Sequence, residues 1–128
     1  MAVASRRAPS DRRAALRRGM HAEIVAAAFL LAKGYRILAW RYAGDGGEID
    51  LVCRRGAVIA FVEVKQRADL DAAGWAIGPV KQQRFQRAAR RWIARNPWAS
   101  AMTLRCDAVL LAPWRWPRHI PDAFTLWM

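Results

Sequence analysis

The chain has 128 residues, 55% of them hydrophobic, which suits one domain with one core and excludes a disordered protein. Its 22 basic and 10 acidic side chains leave a formal charge of +12. Solubility needs far less, so a polyanionic partner is expected, nucleic acid before membrane.

In chain order, residues 1–12 are rich in Arg, Ala and Ser and are expected to be a disordered basic N-terminus, with a single domain over 13–128. A helix is predicted from Ser10 or Asp11, or after Gly19, to Lys33, with Gly34 as its stop. Its expected apolar face is Ile24, Ala27, Ala28 and Leu31. The apolar run 24–32 lies behind Glu23, lacks a cleavage pattern and is too short to span a bilayer. A cytoplasmic protein without a membrane partner is therefore expected.

Tyr35–Tyr42 alternates like a strand, and Asp45-Gly46-Gly47 signals a turn. Two further strands follow, joined at Arg55-Gly56. Val58–Val64 is apolar on both faces, as in a buried central strand. Residues 68–79 read as a mobile loop. Val80–Asn96 is the clearest helix: Phe85, Ala88, Ala89, Trp92 and Ile93 form one apolar stripe, and Arg84, Arg87, Arg91 and Arg95 line its flank. Thr103–Ala112 is another strand, with Arg105 and Asp107 on one face. Phe124–Trp127 would add an edge strand, and Trp114 and Trp116 are expected to pack. Cys53 and Cys106 have no Cys or His at metal-binding spacing and read as small buried residues in a reducing compartment. The order α-β-β-β-α-β predicts an α/β fold, a mixed central sheet flanked by helices.

Charge intrudes where this sheet should be most apolar. Glu63 and Lys65 share a face at the end of the central strand. On its partner Glu48 and Asp50 share a face, with Ile49, Leu51 and Cys53 opposite. Burying unpaired charge is costly, so the cluster needs a compensating reason, either a divalent metal or a mutual salt bridge. Mg²⁺ takes oxygen ligands, commonly one or two carboxylates with waters and phosphate. Asp50, Glu63 and the Val64 carbonyl could supply them, and Lys65 could orient or activate water. Three Glu and three Lys placed at random in this length give about 0.07 Glu-x-Lys pairs, so the spacing is informative. Glu23 is either an accessory acid or the partner of an arginine such as Arg41. Glu48 and Gln66 are expected to support the site from beside it. His21 and His119 read as structural or surface residues.

Glu on the first helix, then Asp, then Glu-x-Lys resembles the restriction-endonuclease-like nuclease fold, archaeal Holliday-junction resolvases in particular. Closer still, Gly19-x-x-x-Glu23, Gly34-Tyr35, Gly47-Glu48-Ile49-Asp50-Leu51, Phe61-Val62-Glu63-Val64-Lys65, Arg67, Lys81-Gln82, Arg105-x-Asp107 and Ile120-Pro121-x-Ala123-Phe124 are similar to the YraN family of small bacterial proteins. The likeness spans residues 17–124. It departs at Ala22, where the family usually has Gly, and at Gln66, where Thr or Ser is usual.

The resemblance implies Asp50, Glu63 and Lys65 as a nuclease triad, Glu23 as an accessory acid, and Mg²⁺ or Mn²⁺ as cofactor. The function expected is a metal-dependent endonuclease acting on branched DNA, with DNA preferred to RNA. Arg67, Lys81, Arg84, Arg87, Arg91 and Arg95 would contact phosphates without reading sequence. A homodimer suits that substrate, since cutting both strands of a junction calls for two sites. The alternatives are an inactive nucleic-acid-binding module of the same fold, or a partner-docking protein that uses the Trp- and Pro-rich tail.

Overall fold

A computed structural model describes residues 9–68 and 77–126, with side chains from Met20 onward. Helix α1 (Pro9–Ala32) leads into strands β1 (Arg36–Gly44), β2 (Gly47–Arg55) and β3 (Val58–Gln66). Helix α2 (Pro79–Arg95), a 3-10 turn (Pro97–Ala101), β4 (Thr103–Leu111) and β5 (Arg118–Phe124) complete it. The sheet runs β1-β2-β3-β4-β5 and is antiparallel throughout except for the parallel β3–β4 pair. This is the expected α/β fold, with a restriction-endonuclease-like order of elements. No helix among the described residues is long and apolar enough to cross a membrane. Residues 1–8, most of the 68–79 loop and Trp127 lie outside the described residues.

Each face of the sheet has its own core. Against α1 lie Leu51, Cys53, Ala60, Val62, Val109 and Leu111. Against α2 lie Ile49, Val52, Ile59, Phe61 and Cys106. The predicted α2 stripe is buried as expected, with Trp92 edge-on to Phe61 at 5.6 Å. Both cysteines are buried and free, and burial pushes each thiol up to about 12, so neither ionises.

The face of α1 differs from expectation. Ala22, Ala26, Ala27 and Leu30 are buried, whereas Ile24 and Leu31 are more than half exposed and Ala28 is exposed. The helix is apolar nearly all round, so periodicity cannot choose its inner face. The small alanines sit inside, where a helix can approach a sheet closely.

The face pattern of β2 also needs correction. Leu51 and Cys53 face α1, but Ile49 faces α2, so alternation breaks at Asp50. The β2–β3 ladder stops at Leu51–Val62. Beyond it the Asp50 side chain, not backbone, meets β3.

At the other edge, the added strand is Arg118–Phe124 rather than Phe124–Trp127. Pro121 argues against a central strand, but an edge strand tolerates it. Trp114 and Trp116 do not pack: they are 101% and 85% exposed, on a turn that Pro113 and Pro117 bracket between β4 and β5.

Gly47 fixes how α2 sits. A Cβ there would lie 1.7 Å from the Arg84 carbonyl oxygen, so strand and helix backbones touch. That contact brings the start of α2 over the end of β3.

Candidate functional site

At the end of β3 the Glu63 side chain is only 2% exposed, and its Oε1 accepts from Lys81 Nζ at 2.6 Å and Lys65 Nζ at 3.3 Å. Lys65 reaches it along the strand, two residues on. Lys81 comes from the first turn of α2. Asp50 faces the same strand end from β2, where its Oδ2 accepts the Val64 N–H at 2.7 Å. This carboxylate replaces the backbone partner that Val64 loses when the ladder opens.

The acids repel. Burial first, and then the charge of Glu63, raise the Asp50 carboxyl to about 7, despite the Val64 hydrogen bond. The lysines divide unevenly. Burial lowers Lys65, and the neighbouring Lys81 lowers it further. Lys81 is raised: burial acts against its charge, but its hydrogen bonds to Glu63 and Lys65 and the charges of the two acids together outweigh it. Lys81 therefore keeps its proton, and Lys65 is the more readily neutral amine.

Glu23, in α1, pairs with Arg41 Nε at 2.7 Å. Arg41 takes a left-handed φ of 47°, which turns it out of the β1 ladder toward that acid. Glu23 still contributes to the field that raises Asp50, after burial and Glu63. Glu48 is exposed and lines an open groove of about 770 Å³ with Gly47, Gly78, Lys81 and Arg84. Gln66 and Arg67 line a different recess, of about 540 Å³, with His21, Leu111 and Arg115. The Arg67 N–H donates to the Leu111 carbonyl at 2.8 Å, extending the β3–β4 edge.

Arg84, Arg87, Arg91 and Arg95 are all exposed. Lys81 begins the same flank, which runs about 21 Å along α2 at 1.5 Å per residue. The acids thus lie at one end of a basic ridge.

No group of three acidic, His or Cys side chains with metal-holding geometry occurs among the described residues. A hard cation with one or two carboxylates is the case to weigh. Asp50 and Glu63 are oxygen donors from adjacent strands that converge on the same strand end. This donor set fits Mg²⁺ or Mn²⁺ better than a softer metal.

Sequence reasoning missed two features. It placed Lys81 with the phosphate contacts, whereas Lys81 is also the shorter partner of Glu63. The signal was its place at the start of α2, but only tertiary packing shows what lies beneath. It also gave Asp107 only a strand face shared with Arg105 and no role, whereas the residue is fully buried. Arg105 clasps both Asp107 oxygens at 2.8 Å, His119 Nε2 lies 2.7 Å from Oδ2, and the Asp122 N–H donates to Oδ1 at 3.0 Å. Lys33 Nζ lies 2.6 Å from His119 Nδ1. An ammonium only donates, so Nδ1 accepts and Nε2–H donates to Asp107. His119 is thus structural.

The family model of "Uncharacterised protein family UPF0102" matches residues 22–111. A UPF0102 protein of Methylobacterium nodulans is 62% identical over 115 residues, covering 90% of this chain and 89% of the relative. One of Methylorubrum extorquens is 57% identical over 124 residues, covering 94% and 97%. One of Rhodopseudomonas palustris strain HaA2 is 54% identical over 114 residues, covering 89% of each.

Proposed function

The chain belongs to the UPF0102 family, also called YraN, and on that premise we propose that it binds nucleic acid and hydrolyses phosphodiester bonds in structured DNA, with Mg²⁺ or Mn²⁺ as cofactor. The observation that carries this reading is the pair of carboxylates brought together at the open end of the β2–β3 ladder. Asp50 and Glu63 face the same strand end, and burial first, then the charge of Glu63, raise Asp50 to about 7. A structural ion pair would have no need of the second acid.

When bound, the cation would hold the scissile phosphate and offset its developing charge. Asp50 and Glu63 would hold it. The N–H and C=O of one strand residue face the same edge, so the Val64 carbonyl, on the Asp50 side, would be the third protein oxygen. Lys65, lowered by burial and by Lys81, is neutral more often than an ordinary lysine and so more available to accept a proton from the attacking water. Lys81 keeps its charge and holds Glu63 in place. The ridge from Arg84 to Arg95 would position the strand through its phosphates, irrespective of sequence.

The test incubates pure protein with labelled junction, flap, single-stranded and duplex DNA in Mg²⁺, Mn²⁺ or EDTA. Metal-dependent cleavage that Asp50→Ala and Lys65→Ala abolish supports the reading. Cleavage that survives both substitutions places the site elsewhere.

One observation favours a second reading, a binding module without turnover. Glu63 already carries two ammonium groups on one oxygen, a self-neutralised arrangement that needs no metal. Salt-dependent DNA binding without cleavage in any metal would support it.

A further inference from the structure

The far end of β2 carries a second concentration of charge, and here no acid answers it. Arg36 on β1 lies directly opposite Arg54 on β2. Like charges so placed across an antiparallel pair are destabilising. Arg55 follows in the chain. These three arginines, with Gly34 and Gly56, line a recess of about 280 Å³ at the rim of the sheet. None of the three forms an ion pair with a carboxylate among the described residues.

Two of the guanidinium groups are held in position. Arg54 Nε donates to the Gly56 carbonyl at 3.0 Å, and its guanidinium lies over the Trp98 ring. Arg55 NH1 donates to the Lys33 carbonyl at 3.2 Å and lies over the Tyr35 ring at 4.6 Å. Carbonyls and rings order a guanidinium without neutralising it. The positive field reaches Lys33, whose ammonium is lowered by burial and then by the charge of Arg55. The walls between the arginines are glycines at φ of 90° and 59°, a conformation that disfavours side chains and leaves the space open.

We propose that this recess is an anion site for phosphate, separate from the Asp50–Glu63 cluster. Phosphate offers several acceptor oxygens and negative charge, which match forked guanidinium donors. The recess suits one or two phosphoryl groups rather than a large ligand. Along β2 it lies about 13 Å from Asp50, at 3.3 Å per residue. Its ligand is either a backbone phosphate of a bound strand or a small free phosphate compound.

The test compares wild type with Arg36→Gln/Arg54→Gln, using thermal unfolding in EDTA with and without millimolar pyrophosphate. It also measures the salt dependence of binding to a labelled oligonucleotide. Both substituted side chains are exposed, and removing their repulsion should leave the ligand-free melting temperature unchanged or raised. A pyrophosphate-induced rise of about 2–4 °C in wild type, lost in the double variant, supports a site for a small phosphate compound. A salt slope shallower by about 1–2 in the variant supports a strand phosphate as the ligand. Pyrophosphate protection and salt slope both unchanged in the variant would overturn the proposal. The site does not rest on the nuclease reading: Asp50→Asn should keep the pyrophosphate response whether or not it abolishes cleavage, and Arg87→Gln should keep it too.

Discussion

Two carboxylates, the partly buried Asp50 and the fully buried Asp107, lie in one sheet and meet opposite fates. Asp107, facing α1, receives Arg105, His119 and a backbone N–H. Burial pushes its carboxyl up, but the hydrogen bonds from His119 and Arg105 outweigh it, and the net direction is down. Asp50 receives one backbone N–H, and burial first, then the neighbouring Glu63, drives it up to about 7. The same residue type is a satisfied brace in one place and an unsettled group in the other. Proteins keep unsettled charge where it has work to do.

The comparison breaks first at Asp107. Asp107→Ala strands the partly buried Arg105 guanidinium beside His119, and denaturant unfolding should show a loss of about 3 kcal/mol. Asp50→Asn should do the reverse. Raised from about 3.8, Asp50 binds its proton more tightly in the folded than in the unfolded protein. Its contribution to stability is present at low pH and lost as pH rises through about 7. Asparagine removes that cost and can still accept the Val64 N–H. Unfolding at pH 8 should show the variant more stable by on the order of 2 kcal/mol, with the advantage fading toward pH 5. For Asp107 the sign is opposite: its lowered carboxyl stabilises above its ordinary range near 3.8 and loses this as pH falls through the folded value.

Smaller effects sharpen the picture. In Lys81→Met the Lys65 amine loses the neighbour that lowers it, so its titration, followed by NMR, should move up. Replacing Arg84, Arg87 or Arg91 by Gln should leave stability nearly unchanged. Each should reduce the salt slope of DNA binding by about 0.7–0.9 if that side chain meets a phosphate.

The cluster of Asp50, Glu63 and Lys65 was legible because charge interrupts an apolar strand, and a period-2 pattern makes such an interruption visible. The α2 stripe was legible for a related reason, since its polar and apolar faces differ sharply. The inner face of α1 was not, because Ile24 and Leu31 look as apolar as Leu30. The role of Gly47 depends on the Arg84 carbonyl, 37 positions away in the chain. The Asp107 network was half legible: Arg105 and Asp107 share a strand face, but His119 and Asp122 arrive from β5, whose bulge no local pattern announces. Local periodicity fixes which residues share a face, while tertiary approach decides what that face meets.

The central claim is that Asp50 is kept at a cost to stability because the site uses it. The direct measurement is cleavage of labelled branched DNA in Mg²⁺ and in EDTA, by wild type and by Asp50→Asn shown to be folded and at least as stable. The account predicts metal-dependent cleavage by wild type and none by the variant. Equal cleavage by both, or a variant that is less stable at pH 8, would contradict it.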